Sequence, residues 1–281
     1  MKPIIAVIAP GNMGAAVGRH LVEGGAEVRT ALAGRSAATA ARAAASGMIA
    51  AEPQGLAEAE FILSIVPPGE ALGLAESLVP VLIAAARKPV YVDCNAVSPD
   101  TVARIAAVLA PTGCRFVDAG MIGGPPQAGR DGPVIYASGP DAGHFAALGQ
   151  YGLKIQLLDG PIGAASALKM SYAGITKGLT ALGTAMILAA SRAGAAEALA
   201  AELAASQPEL LGIFTRAVPG MFPKAYRWVA EMEEIADFYG DPATAALYRG
   251  IADLYRRLAA DVAGPNCDTA MLRGFFAQPA G

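Results

Sequence analysis

Over the first 160 residues the apolar positions fall into short unbroken runs, and stretches of helical periodicity separate them. Ile4, Ile5, Val7 and Ile8 form one run that breaks at Pro10-Gly11; from about Asn12 the pattern is helical, with Val17 and Leu21 on one face. Gly24-Gly25 closes that helix, Glu27 to Ala33 reads as a strand, and Ala37 to Gly47 as an alanine-rich helix. Phe61 to Val66 is a fully apolar strand that stops at Pro67-Pro68, followed by a helix over Leu72 to Ala86 and a strand over Val90 to Asp93. Ser98 caps a helix that opens on Pro99 and runs to about Ala110. Arg115 to Ala119 gives another strand, and Val134 to Ser138 and Lys154 to Leu158 read as added edge strands.

Strands that are apolar on both faces and alternate with helices predict a parallel sheet covered on both sides. Beyond Gly160-Pro161 the pattern changes. Ala164 to about Ala193 holds no proline and hardly a strand signal, and helices follow over Ala195–Ser206, Gln207–Thr215, Pro223–Tyr239 and Pro242–Ala263. The expected architecture is an α/β Rossmann domain over 1–162 and an all-helical domain over 163–281 that serves substrate binding and dimerisation, joined where the long helix begins.

Composition narrows the partners. With 281 residues and a formal net charge of -3, neither nucleic acid nor an acidic membrane surface is the expected partner. His20 and His144 lie far apart, so no metal site is expected, and Cys94, Cys114 and Cys267 form no C-x-x-C, as suits a reducing compartment. Mean hydropathy is high at +0.43, yet the longest uncharged helical run, Gly178 to Ser191, spans only about 21 Å against roughly 30 Å of hydrocarbon. The opening run is short for a secretory signal and ends in the glycine turn. A cytoplasmic protein with no membrane segment is the expectation.

The turn after the first strand carries the first chemistry. In A-P-G-N-M-G (9–14) Ala9 stands where the dinucleotide fingerprint G-x-G-x-x-G has its first glycine; Gly11 lets backbone approach a pyrophosphate and Gly14 lets helix pack on strand. Pro10, Gly11, Asn12, Met13 and Gly14 are therefore cofactor candidates, with phosphate at the helix N-terminus. After the second strand an NAD-selective sheet places an acidic residue, whereas this chain has Gly34-Arg35-Ser36 and no acidic residue from Arg29 to Gly47. Arg35 and Ser36 suit a 2′-phosphate, so NADP(H) is expected over NAD(H). Val66, Pro67 and Pro68 shape the turn beside the nicotinamide, and Asn95 either contacts ribose or substrate or caps its own turn.

In order along the chain, these features resemble the β-hydroxyacid dehydrogenase family, the relatives of 6-phosphogluconate and 3-hydroxyisobutyrate dehydrogenases. The family's opening motif appears as A-P-G-N-M-G (9–14), its D-x-S-T-x-S-P as D-C-N-A-V-S-P (93–99), its D-A-P-V-S-G-G as D-A-G-M-I-G-G (118–124), and its lysine helix as G-A-A-S-A-L-K-M-S-Y-A (163–173). The segment R-W-V-A-E-M-E-E-I (227–235) resembles a branch with its own helical C-terminal domain. The resemblance implies that Lys169 is the general acid/base and that the protein is a homodimer through its helical domain. The chemistry is consistent: hydride reduction of a carbonyl leaves an alkoxide, and an ammonium within about 3 Å donates the proton as charge develops.

Helical spacing places Ala165, Tyr172, Ala173 and Thr176 on the side of Lys169. Tyr172 either shares the proton transfer or orients substrate, or it packs as an aromatic between domains. Lys177 reaches either the cleft or solvent. Where the family has polar substrate ligands this chain has Ile122, Ala96, Tyr172 and Ala173, which leaves the N–H groups of Gly123 and Gly124 as anion binders with Asn95 and Ser98 nearby. Ser98, Ile122, Gly123, Gly124, Ala173, Thr176 and Trp228 are the expected substrate contacts, in a more apolar or larger pocket than that of small-hydroxyacid enzymes. Trp228 and Met232 either pack in the core or roof the site, and Glu231, Glu233 and Glu234 read as a mostly solvated helix face. The expected activity is hydride transfer between NADP(H) and a hydroxyl/carbonyl substrate of hydroxyacid or aldehyde-acid type. An imine reductase on the same scaffold and a non-catalytic NADPH-binding protein are the alternatives.

Overall fold

The computed structural model describes residues 2–126 and 132–277. The chain divides into two compact units, Met1–Met170 and Ser171–Gly281. The first unit contains β1 (Ile4–Ile8), α1 (Asn12–Glu23), β2 (Glu27–Thr30), α2 (Ala37–Ala45), β3 (Ile49–Ala50), α3 (Pro53–Ala57), β4 (Phe61–Ser64), α4 (Ala71–Ala84), β5 (Val90–Asp93), α5 (Pro99–Leu109), β6 (Arg115–Ile122), β7 (Val134–Ser138), α6 (Ala142–Phe145) and β8 (Lys154–Leu157). The helix α7 (Ala164–Arg192) begins in it and continues into the second unit.

The eight strands form one sheet in the order β3-β2-β1-β4-β5-β6-β7-β8. Every neighbouring pair is parallel except β6 and β7, which run antiparallel with Asp118 opposite Ser138. Side chains alternate across a strand, so β1 divides its residues between two cores. Ile5 and Val7 pack with Val17, Leu21, Val92 and Phe145, while Ala6 and Ile8 pack with Ile62, Leu78, Tyr91 and Ile105 on the other face. The unbroken apolar runs of the sequence have this cause. Strand order reverses between β1 and β4, which opens a crevice at their C-terminal ends, the place where doubly wound sheets take ligands.

The second unit is helical: α8 (Ala196–Ser206), α9 (Pro208–Met221), α10 (Ala225–Phe238), α11 (Pro242–Ala263) and α12 (Cys267–Ala277) follow α7. Its glycines on α7 receive aromatic rings. A Cβ on Gly183 would lie 2.5 Å from the Phe214 ring, and one on Gly174 would lie 2.9 Å from the Tyr248 hydroxyl. Thr180 and Thr184 return their hydroxyls to carbonyls one turn back, at 2.9 and 2.7 Å, so no polar group of theirs is left over.

Several boundaries differ from the sequence expectation. α9 runs on to Met221 with Pro219 inside its last turn, past the expected end at Thr215. β3, α3 and α12 are absent from the sequence expectation; β3 and α3 span only two and five residues. α7, by contrast, has the extent expected of it, 29 residues from Ala164 to Arg192. By length and composition it could cross a membrane, but 44% of its most apolar window is buried inside the chain.

Candidate functional site

At the C-terminal end of β1 the chain turns through Ala9–Gly11 into α1. Gly14 is obligatory there, since a Cβ would stand 2.1 Å from the Ala9 carbonyl oxygen. Over Gly11 the opposite holds: a Cβ would meet nothing within 4 Å, so the space above that backbone is open. Gly11 is the N-cap of α1 and no side chain caps the helix. The first-turn N–H groups therefore point at open space with the positive end of a 12-residue helix behind them. These are the properties a pyrophosphate requires, and the residues fit a dinucleotide.

Arg35 and Ser36 follow β2 on the same edge. Ser36 caps α2, accepting from the Thr39 N–H at 3.3 Å. Arg35 reaches toward Glu70, 3.7 Å away on the turn after β4, and both side chains are substantially exposed. Arg42, which the sequence reading did not single out, donates from Nη1 to the Pro10 carbonyl at 3.2 Å. The turn after β1 and the end of β2 are thus flanked by two guanidinium groups, those of Arg42 and Arg35.

Asn95 is buried and spends its whole amide internally. Its Oδ1 accepts from Val66 N–H at 2.7 Å, and its Nδ2 donates to Ser64 Oγ at 2.8 Å and Asp93 Oδ2 at 2.9 Å. Of the two roles open to Asn95, the geometry displays the turn-holding one: it braces Val66 and the Pro67-Pro68 turn from below. Asp93 is fully buried, and loss of water raises its carboxyl to about 7 despite hydrogen bonds from Asn95 that oppose the rise. Burial likewise pushes the Cys94 thiol well up, which fits a core residue and not a nucleophile. Ser98, expected at the substrate, is buried and caps α5 by accepting from Thr101 N–H at 3.2 Å.

The expected proton donor has a built seat. On β6 the fully buried Asp118 lies under the start of α7. Its Oδ2 accepts from Ser138 Oγ at 3.0 Å and from the N–H groups of Gly163, Ala165 and Ser166 at 2.9, 3.0 and 3.1 Å, while Oδ1 accepts from Ser166 Oγ at 2.6 Å. A buried carboxylate thus takes up the orphan donors of the helix N-terminus and lies at the positive end of its dipole. Two residues along, Gly120 lets the helix sit directly on the strand: a Cβ there would be 2.7 Å from the Ala165 carbonyl oxygen and 3.0 Å from Lys169 Cβ. Lys169 consequently rises over β6, whose end carries Ile122, Gly123 and Gly124. Gly123 has a φ of 126°, which only glycine adopts readily. A Cβ on Gly124 would meet nothing within 4 Å. Lys169 is half-buried and its Nζ has neither a hydrogen bond nor an ion pair among the described residues. Its neighbours on the wheel divide: Ala165 and Ala173 are buried, whereas Tyr172 is 50% exposed and Thr176 is exposed with its hydroxyl on the Tyr172 carbonyl at 2.9 Å.

In the helical unit Trp228 and Lys177 come together. The Lys177 ammonium lies 4.9 Å from the centre of the Trp228 ring and pairs with Glu231, and the two charged side chains are only 14% and 17% exposed. Glu231 therefore does not belong to a solvated face. It sits one turn from Trp228 on the inner side of α10, with the buried Met232 and Ile235 beside it. The only charge signal in the sequence was an E-M-E-E cluster, which does not say which glutamate turns inward.

The chain was compared with known proteins. Residues 4–150 match the family model described as the NAD-binding domain of 6-phosphogluconate dehydrogenase, and residues 190–258 match a domain of unknown function, DUF1932. No curated protein matches the chain. Among solved structures, a conserved protein of unknown function, MTH1747, reported as structurally similar to 3-hydroxyacid dehydrogenases, is 29% identical with a TM-score of 0.70, covering 92% of this chain and 99% of that one. The Mycobacterium tuberculosis 3-hydroxyisobutyrate dehydrogenase, solved with L-serine, is 23% identical with a TM-score of 0.72, covering 98% and 99% of the two chains. An imine reductase from Myxococcus stipitatus, solved with NADP+, is 19% identical with a TM-score of 0.57, covering 97% and 99%. A variant of that enzyme was solved with NAD+.

Proposed function

The chain belongs to the β-hydroxyacid dehydrogenase family, with the nucleotide-binding domain of 6-phosphogluconate dehydrogenase, and from that premise we propose that it is an NADP(H)-dependent oxidoreductase acting on a hydroxyl/carbonyl pair near an acid group, with Lys169 as general acid/base. One observation carries the reading: a half-buried amine with no hydrogen bond or ion pair among the described residues, seated by Asp118 and Gly120 over the strand that leads into Gly123-Gly124. When bound, the nicotinamide nucleotide supplies the hydride. The chain does the rest. Pro10 to Gly14 hold the pyrophosphate on the α1 N-terminus, and the turn braced by Asn95 positions Val66, Pro67 and Pro68 beside the ring. The N–H groups of Gly123 and Gly124 receive the substrate's acid group. Lys169 Nζ donates a proton to the carbonyl oxygen as negative charge gathers there, and takes it back from the hydroxyl in the opposite direction. Tyr172, exposed three residues along the helix, orients the substrate.

The test is an NADPH-absorbance assay against panels of keto acids, aldehydes and cyclic imines. Oxidation with keto acids or aldehydes bears the reading out. Oxidation with imines alone moves the chain to the imine-reductase chemistry of its more distant neighbours, and tight NADPH binding with no turnover contradicts catalysis altogether.

NADP(H) preference rests on Arg35, with Arg42 beside it and no acidic residue after β2. Arg35→Ala is expected to weaken NADPH binding at least tenfold, the worth of a charge-assisted hydrogen bond at this exposure, and to leave NADH within about threefold. Equal losses in a fluorescence titration would remove the assignment. A homodimer through the helical unit is proposed as well. Leu182 and Met186, one turn apart on α7, are 60% and 54% exposed. Sedimentation at micromolar concentration should show two chains per particle, and a monomer there contradicts the dimer. Action in the cytoplasm on a small-molecule substrate completes the proposal.

A further inference from the structure

A second concavity lies wholly within the helical unit. It has a volume of about 480 Å³, within the range of small-molecule sites, and is lined by α7, α9 and the turn into α10. Its walls are apolar: Ile175 and Leu179 from α7, Ile213 and Ala217 from α9. Its charged lining residues are all basic, namely Lys177, Arg216 and Lys224. Glu231 neutralises Lys177 in the wall beside the Trp228 ring. Arg216 and Lys224 are exposed and have no ion pair or hydrogen bond among the described residues. A chain of net charge -3 thus directs two uncompensated cations at one apolar recess. Low-dielectric walls strengthen the attraction of such a pair for an anion that enters it.

We propose that this pocket binds an organic anion with an apolar body, such as an aryl- or branched-alkyl carboxylate. The acid group lies between Arg216 and Lys224, and the body rests on Leu179, Ile213 and the Trp228 ring. Arg216 and Ala217 lie one turn after Ile213 on α9, and Gly220 follows a turn later at the mouth, so one helix face presents both the cation and the apolar wall. Gly220 removes side-chain bulk from that face; a Cβ there would meet nothing within 4 Å. The pair Lys177–Glu231 holds the back wall polar but neutral, so the positive potential is set by the two cations at the mouth. This assignment stands on the pocket itself and does not depend on hydride transfer or on Lys169.

The chain carries its own reporter, because Trp228 is its only tryptophan. The experiment titrates the full-length protein with 4-phenylbutanoate, and separately with 4-phenyl-1-butanol, following tryptophan emission. The acid should change the emission saturably and bind at least tenfold more tightly than the alcohol. The double variant Arg216→Gln/Lys224→Gln, altered only at exposed positions, should weaken the acid at least tenfold and the alcohol by less than twofold. Lys169→Ala should leave both titrations as they are, so a failed proton donor and a failed pocket give different results. Equal binding of acid and alcohol overturns the proposal, as does an emission unmoved by millimolar acid. Emission that follows protein concentration instead of added acid overturns it too, and assigns the recess to a second copy of the chain.

Discussion

Lys169→Ala should lower turnover about a thousandfold while NADPH affinity stays within a few-fold of the parent protein. The size follows from what a positioned general acid contributes, roughly a hundred- to ten-thousand-fold. The selectivity follows from placement. Lys169 rises from α7 over β6, whereas the nucleotide elements are the β1–α1 turn, Arg35 and the turn after β4. In the proposed reaction the amine meets the reacting oxygen and not the phosphates, so its loss would remove stabilisation of charge that exists only in the transition state. Such a loss lowers kcat more than it raises KM. Lys169→Arg should recover little, because a guanidinium holds its protons too firmly to exchange them near neutral pH. Turnover within threefold of the parent in the alanine variant would end the proposed role.

Asp118→Ala should cost about 3 kcal/mol or more of stability and lower kcat at least tenfold in whatever protein still folds. The carboxylate accepts five hydrogen bonds, three of them from backbone N–H groups: that of Gly163 just before α7 and those of Ala165 and Ser166 in its first turn. Removing it leaves the Gly163 and Ser166 N–H groups buried without partners, each at a cost of about 1–3 kcal/mol before relaxation, while the Ala165 N–H keeps Ser138 Oγ at 2.9 Å. The catalytic penalty has a separate origin. That turn sets the height and rotation of the helix on β6, and Lys169 lies three residues beyond Ser166, so loosening the seat displaces the amine. Asp118→Asn distinguishes the two effects. Its Oδ1 can accept from Ser138 and the helix N–H groups while Nδ2 donates to Ser166 Oγ, so the seat survives although the charge does not. Near-parental kcat in the asparagine variant with a deep loss in the alanine variant identifies Asp118 as a positioning residue. Unchanged kcat in a folded alanine variant, with only the melting temperature lowered, would leave it a purely structural one.

Much of the nucleotide half was legible because its physics is local. Ile4 to Ile8 had to be a doubly covered strand, Gly14 had to be small for the reason that its close approach to Ala9 displays, and Gly11 leaves the space above its backbone open. The Ser98 cap and the Pro99 helix start could be read from two adjacent letters. The less legible features depend on contacts between distant segments. Asp93 and Asp118 could have been flagged, since a carboxylate in an otherwise apolar strand is almost never fully buried without partners. The partners of Asp118 lie 20 to 48 residues away and follow no sequence period. Arg42 and Glu70 reach the nucleotide crevice from elements whose own patterns read as ordinary solvated helix and turn. Val134 to Ser138 alternates like any edge strand, yet it lies inside the sheet because β8 pairs beyond it. On α10 the inward Glu231 became visible only once Lys177 was opposite it.

The most direct measurement is a crystal structure of the protein with NADPH and a non-reactive keto-acid analogue bound. The account predicts Lys169 Nζ within hydrogen-bond reach, about 3 Å, of the analogue's carbonyl oxygen, with the acid group on the N–H groups of Gly123 and Gly124. A Lys169 ammonium turned into solvent, with the analogue's oxygen held by another residue, would contradict it.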